Sequence, residues 1–462
     1  MLKSIGLYTC ARVINGAAAL ALLSLLTKAL SAEAYGAYSL LFTFSVSLAT
    51  ISYQWIAASV FRFNNPQSSE RTNLQHEALR LYLLVCVLII FLAPLAFFIS
   101  MPDLVSLPIA IIMTSLTLLV GLFDLNLNFA TSSAQPLKYF IMTSSRAVFS
   151  LAFVGLALIS GYHEIGALLA VTVSYFTAAS FGFFSLRQRN LGRHPEIRKR
   201  IVSYGLPISV SSVAIIIIDF ADRYMLAVFT DLREVGMYSA AYNLSQQTTG
   251  ALLSIIFISV FPKISSAHEQ GKMDQVKLYS KKLLVWLISL GGAVLTCFLW
   301  YRSQLSAIMF GQNISAEAAI LMPLISLAIL LGVLKSSAFD VPAKLKNDTR
   351  YLLAVSLIMA GMNVALNFVL IPLHGAIGAA FATLIAFGAG MFISLIRYRD
   401  FWENSGLASE FLKFSVALML MNAFIFGLGL IPSVPWIIGM PLALGLYAGI
   451  LCLFDLTNFK KG

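Results

Sequence analysis

Charge is scarce in this sequence: Asp, Glu, Lys and Arg make up 11% of its 462 residues, while apolar types make up 59%. A soluble chain carries ~25% charged and ~45–50% apolar residues. The deficit excludes a water-soluble globular fold, because so much apolar surface cannot be hidden from water and lipid must be the solvent. Cysteine is sparse as well. Cys10, Cys86, Cys297 and Cys452 stand far apart in apolar stretches, without the close spacing of a metal or redox motif. The five histidines, His76, His163, His194, His268 and His374, are scattered over loops. No H-E-x-x-H or G-x-S-x-G motif occurs. The absence of a G-x-x-x-x-G-K-[ST] loop argues against ATP-driven work by this chain alone. No loop is long enough to hold a catalytic domain. The expectation is a non-enzymatic protein with no metal or organic cofactor, with H⁺ or Na⁺ left open as a coupling ion.

What the chain has instead is long apolar runs. A membrane-spanning helix needs ~20 mostly apolar residues, and about fourteen stretches qualify. They run from 5–28 and 35–60, through 351–371 and 375–396, to 410–430 and 435–455. The first follows Lys3 without a convincing small-residue cleavage site, so it reads as an uncleaved span. The fold class is an all-α polytopic membrane protein. Most of the 31 Lys and Arg residues fall in alternate loops, which places both termini in the cytoplasm. The opposite loops hold only Lys28, Arg233 and Arg302. The net charge of +11 is therefore a topology signal and not a nucleic-acid footprint. The expected location is a bacterial cytoplasmic (inner) membrane.

The chain repeats itself at an offset of 200 residues: Tyr35-Gly36-Ala37-Tyr38-Ser39 returns as Val235-Gly236-Met237-Tyr238-Ser239, and Ser59-Val60-Phe61 as Ser259-Val260-Phe261. A shorter echo links Ile165-Gly166-Ala167 to Ile377-Gly378-Ala379. Six spans separate the copies, an even number, so the two halves share one orientation. Parallel repeats of this kind build transporters with a pseudo-twofold axis along the membrane normal. The expected organisation is an N-lobe at 1–186, a basic cytoplasmic linker at 187–203, a C-lobe at 204–400 and a two-helix appendage at 401–462. Two six-helix lobes around a central cavity are the parts of an alternating-access transporter.

Three stretches carry a family resemblance. They are Ala34-Tyr35-Gly36-Ala37-Tyr38, then Tyr204-Gly205-Leu206-Pro207 through Ala221-Asp222-Arg223-Tyr224 to Val235–Tyr242, and Ile371-Pro372-Leu373-His374-Gly375-Ala376-Ile377-Gly378. The chain resembles the polysaccharide-biosynthesis (Wzx-type) flippases of the multidrug/oligosaccharidyl-lipid/polysaccharide (MOP) exporter superfamily. The resemblance implies movement of an undecaprenyl-pyrophosphate-linked oligosaccharide, of O-antigen, lipopolysaccharide or exopolysaccharide type, from the cytoplasmic to the outer leaflet. It implies membrane lipids, a polysaccharide polymerase and glycosyltransferases as partners. The appendage departs from the twelve-span pattern of many members, so a lipid II flippase stays open as an alternative. A MATE-like multidrug exporter and, further off, a membrane-embedded polymerase also stay open.

Charges inside spans are costly and are functional candidates. Arg12 and Arg146 each lie ~10–12 Å from the cytoplasmic end of an outward-running span, at 1.5 Å per residue. Lys335 lies near the cytoplasmic end of span 10. Guanidinium groups grip phosphate oxygens as a fork and Lys adds a point charge, so the three are candidate pyrophosphate ligands. Snorkelling toward lipid headgroups is the alternative for Arg12 and Arg146, and pairing with Asp124 the alternative for Lys335. Asp124 and Asp222 are candidate coupling-ion ligands. Asp219 and Arg223, spaced i,i+4, read as a structural ion pair. Tyr242, Asn243, Gln246 and Gln247 on span 8 offer an aromatic platform and amide groups for a glycan path, with hydrogen bonding between helices as the alternative. Asn363 and Asn367 share a face of span 11.

Overall fold

The computed structural model describes residues 2–65, 70–183, 192, 194–403, 407–429 and 435–454. All regular elements among them are helical. In chain order they are α1 (Leu2–Ala29), α2 (Ala32–Phe63), α3 (Arg71–Ser100), α4 (Leu107–Ser132), α5 (Pro136–Ile159) and α6 (Glu164–Phe183). Next come α7 (Pro195–Phe229), α8 (Leu232–Ser245), α9 (Ala251–Glu269), α10 (Met273–Met309) and α11 (Gln312–Leu334). The short α12 (Val341–Leu345), then α13 (Thr349–Arg397), the single turn α14 (Arg399–Trp402), α15 (Leu407–Gly429) and α16 (Trp436–Leu453) complete the chain. A π-helical turn, Gln246–Gly250, joins α8 to α9, and another, Lys335–Phe339, follows α11.

Twelve continuous helical stretches among the described residues are long and apolar enough to cross a membrane. One of them, α13, has 49 residues and is two spans in one. Its path breaks at Gly375, where φ is 53° and ψ is −134°, a backbone setting that side chains with a Cβ avoid. Pro372, lacking an amide proton, loosens the turn just before it. Helix α7 is 35 residues long; at 1.5 Å per residue it reaches ~50 Å, beyond the ~30 Å of a bilayer core. Twelve continuous stretches, one of them double, stand where hydropathy alone reads about fourteen spans, so that count is approximate.

The chain divides into two compact units, residues 1–236 and 237–462. In the first, α2 packs along α4 and α7, and α5 packs along α1 and α6. Small and hydroxyl side chains let these helices approach and bond across the contact. Thr117 donates to the carbonyl of Ser45 at 3.2 Å, and Ser59 to that of Ile201 at 2.9 Å. Tyr53 and Tyr82 rings meet at 5.0 Å, and the Tyr82 hydroxyl donates to the Leu118 carbonyl at 2.8 Å.

In the second unit α11 packs against α10 and α13, and α9 against α10. Leu283, Leu284 and Leu287 of α10 enter a cluster with Leu253, Ile264 and Leu334. The last two helices dock on the C-terminal half of α10: Ala293, Cys297 and Tyr301 pack with Ala417, Met421, Ala443 and Tyr447. Two polar bonds fix that docking. Tyr447 donates to the Ser289 carbonyl at 3.0 Å, and the Trp300 indole to Asn422 Oδ1 at 2.7 Å.

Candidate substrate-headgroup site

Helix α5 starts at Pro136, a residue preorganised for a first helical turn. Its residues 139 and 146, seven apart, lie two turns apart on one face. On α1, Tyr8, Arg12 and Asn15 have matching spacing, and the two helices pack face to face. At one level the rings of Tyr8 and Tyr139 meet edge to face, centroids 4.9 Å apart. Two turns along, Arg146 Nη2 donates to Asn15 Oδ1 at 3.0 Å. The guanidinium also donates through Nη1 to the Tyr175 hydroxyl at 3.4 Å. Its centre stands 5.3 Å from the Tyr175 ring centroid and 5.8 Å from that of Phe123. Its charge reaches Asp124 on α4 and Tyr38 on α2.

Arg146 is thus held at the meeting of α1, α4, α5 and α6, half-buried, its fork aimed by an amide, a phenol and two ring faces. Guanidinium has five N–H donors, so a headgroup that reached it could still be gripped. Arg12 is exposed and sits three residues before Asn15, ~4.5 Å along the helix axis. Arg12 therefore lies one turn along α1 from the residue that holds Arg146. Asn15, Tyr8, Tyr139, Tyr175 and Phe123 do not stand out in the sequence. Their one signal is the seven-residue spacing on α5.

Lys335 has a different setting. It opens the second π-helical turn, is 5% exposed and pairs with Asp340 at 2.9 Å. The other oxygen of Asp340 accepts from Ser394 at 2.7 Å, and Ser394 accepts from Tyr351 at 2.9 Å. This is a closed network inside the second unit, and it spends the Lys335 charge on Asp340. As a pyrophosphate ligand Lys335 would first have to break that pair. Asp340 has no prominence in sequence, and its partner five residues back is reached through the extra residue of the π turn.

The span 8 group is split. Tyr242 is buried and its ring lies 5.8 Å from that of Tyr238. Asn243 and Gln247 are half-buried and Gln246 is exposed. Gln246 and Gln247 fall on the first π-helical turn, the kind of local defect that recurs at functional sites. Thr249 of that turn bonds Ser326 of α11 at 2.7 Å. Asp222 and Arg223 are both buried in α7; the side chain of Asp219 lies outside the described residues, and with it the pair expected with Arg223. Asn367 donates to Asn363 and Asn363 to Thr383, both at 3.2 Å, tying the two spans of α13 together. Among the described residues no cluster of three His, Cys, Asp or Glu could hold a metal.

Residues 1–268 match the family model described as "Polysaccharide biosynthesis protein". This chain belongs to that family. The match covers all of unit 1 and extends through α8 to near the end of α9. Within the curated proteins, the chain is 26% identical over 193 residues to "Probable flippase AglR" of Haloferax volcanii. That stretch is 38% of this chain and 36% of AglR, so about a third of the relative is spanned. The polysaccharide biosynthesis protein shares its fold with "Lipid II flippase MurJ, inward closed conformation": TM-score 0.76 at 14% identity, covering 99% of this chain and 100% of that one. An inward-facing MATE family multidrug resistance transporter of the MOP superfamily aligns at TM-score 0.65 and 15% identity, over 86% of this chain and 96% of that one. The fold is that of the MOP-type transporters, and its extent matches the MurJ structure over nearly the whole length, α15 and α16 included.

Proposed function

We propose that this family member is a flippase that carries an undecaprenyl-pyrophosphate-linked oligosaccharide from the cytoplasmic to the outer leaflet of the inner membrane by alternating access. The observation that carries the reading is the bond from Arg146 of α5 to Asn15 of α1, with Arg12 one turn from Asn15 on α1, along the helix pair that also joins the Tyr8 and Tyr139 rings. A pyrophosphate asks for paired guanidinium forks and its first sugar for an aromatic platform. Asp124 on α4 lies within the field of the Arg146 charge. A proton on Asp124 would remove an anion from the surroundings of Arg146, which gives H⁺ coupling a route; Asp124 and Asp222 are the candidates for H⁺ or Na⁺. A polymerase and glycosyltransferases would act on the same lipid-linked glycan. Lipid II, with the same pyrophosphate and polyprenyl tail, is the second reading, favoured by the match to MurJ over the full chain.

The test is the lipid that accumulates in the inner leaflet of a deletion strain carrying wild type, Arg12→Ala or Arg146→Ala. The expected result is at least a tenfold build-up of one pyrophosphate-linked glycan in both variants, with normal protein levels; tenfold corresponds to ~1.4 kcal/mol, within the range for a charged hydrogen bond. Peptidoglycan precursor instead of oligosaccharide repeat units would move the assignment to lipid II. Normal export by both variants would overturn the headgroup site.

A further inference from the structure

The start of α7 is tied to α3 by a carboxylate that the headgroup site does not use. Glu77, in the second turn of α3, is 4% exposed. Its Oε1 accepts from the backbone N–H of His194 at 3.0 Å and from Arg80 Nη1 at 2.7 Å. Arg80 Nη1 also donates to the Gly192 carbonyl at 2.6 Å. His194 is the capping residue of α7, and its own side chain makes no capping bond. In a capping box, a Glu three residues into the helix reaches back to the N–H of the capping residue. Helix α7 has Ile197 at that position, and Glu77 performs the task from α3. The carboxylate also faces the positive end of the α7 dipole. A buried carboxylate is costly unless it is paired and hydrogen-bonded, and Glu77 is both.

Further ties follow along the next turns of α7. Arg200 lies over the Phe63 ring at 4.6 Å and reaches Glu70 at 3.4 Å. The fully buried Ser59 of α2 donates to the Ile201 carbonyl at 2.9 Å. The rings of Phe63 and Tyr204 meet edge to face, centroids 5.0 Å apart. A Cβ on Gly205 would run into the Trp55 carbonyl, so the two backbones meet there with no side chain between them. From 194 to 205 these ties cover ~16 Å of helix. Side chains bonded to backbone and backbone set against backbone are the contacts of permanently packed helices.

We propose that the cytoplasmic end of α7, residues 195–205, stays fixed to α2 and α3 throughout the transport cycle, with Glu77 as its positioning residue. The inference rests on the alternating-access reading above. The basic stretch between the halves then ends in an anchored helix, and movement of the second half is taken up beyond Gly205.

The test uses the full chain with Cys10, Cys86, Cys297 and Cys452 replaced by Ser, and with Glu70→Cys and Arg200→Cys introduced. A short bismaleimide links the two new thiols, and a monofunctional maleimide serves as control. Export is read from the pyrophosphate-linked glycan that accumulates in the inner leaflet of the deletion strain. The linked protein should export within twofold of the control. A tenfold loss on linking would show that α7 leaves α3 during the cycle and would overturn the anchor. Spin labels on the same two thiols, in lipid bilayers, give a readout that needs no cargo. One narrow distance supports the anchor and two distances overturn it, whether or not the control exports; an inactive control counts against the flippase reading alone. Glu77→Ala should reduce export by about tenfold, and the bismaleimide link should restore it to within twofold. Where Glu77→Ala is not recovered from membranes, Glu77→Gln takes its place, with a smaller loss and the same restoration. A loss that the link does not restore would remove Glu77 from the positioning role.

Discussion

Gly36 and Gly236 occupy reciprocal positions. A Cβ built on Gly36 would run into the Leu232 carbonyl, and one built on Gly236 would run into the Ala32 carbonyl. Each glycine sits opposite the residue four before the other, so the 200-residue repeat is expressed as a backbone contact with its own local twofold character. Each is the fifth residue of its helix, which begins at Ala32 or Leu232. The obstacle in each case is backbone and cannot rotate away.

Gly36→Ala and Gly236→Ala should therefore each lower stability by about 1–3 kcal/mol, the usual cost of overpacking. Gly16→Ala, where nothing lies within 4 Å of the added carbon, should be neutral or slightly stabilising through helix propensity. Unfolding temperatures of the three purified variants check the contrast. Equal values for all three would mean that the close crossing is not maintained.

Asn15→Ala should reduce export by about tenfold, because it removes a hydrogen bond to a charged group worth ~1.5 kcal/mol. Combined with Arg146→Ala it should add almost nothing, since the amide acts by aiming the guanidinium. Export rates of the two single variants and the double variant measure this directly. Additive losses would assign Asn15 a separate role.

Asp340→Ala should be among the most damaging single changes in the second unit. It strands the buried Lys335 ammonium, a defect of about 3–5 kcal/mol, and it leaves Ser394 without its acceptor. Lys335→Met combined with Asp340→Leu should recover most of the folded protein, because replacing a buried pair by apolar residues of similar size is close to neutral. The amount of monodisperse protein extracted from membranes is the readout. No recovery in the double variant would show that the pair does more than hold charge.

Tyr447→Phe removes only the bond to the Ser289 carbonyl and should cost about 1 kcal/mol. Its effect should appear as earlier proteolysis between α15 and α16, before the rest of the chain opens. Simultaneous loss of all helices would mean that these two form one cooperative unit with α10.

Hydropathy makes the spans legible because the bilayer imposes one length on every crossing. Even the junction of the eleventh and twelfth is visible, since Pro372 and Gly375 mark a break with local chemistry. The depth of Arg12 and Arg146 is legible for the same reason. What stays hidden in sequence is the partner of each charge. Asn15 is one amide among many, and only the packing of α1 on α5 makes it the acceptor of Arg146. Lys335 reads as an available cation because α-helical winding puts no acid beside it; Asp340 becomes its neighbour through a π turn, which has no strong residue signature. Tyr242 reads as a platform, and its stacking on Tyr238 is the ordinary i,i+4 aromatic pair that buries both rings.

The π turn at Lys335–Phe339 has one more consequence. It holds a surplus residue, much as a dislocation holds a surplus row in a crystal, and Asp340 with Ser394 pins the defect in place. Excision of a single residue from those five would heal the winding into plain α-helix and swing Lys335 by about 100° relative to Asp340. The spacing between these two residues is thus measured in insertions and deletions more strictly than in substitutions, and a chain one residue shorter there would have to find a new counter-ion for its ammonium.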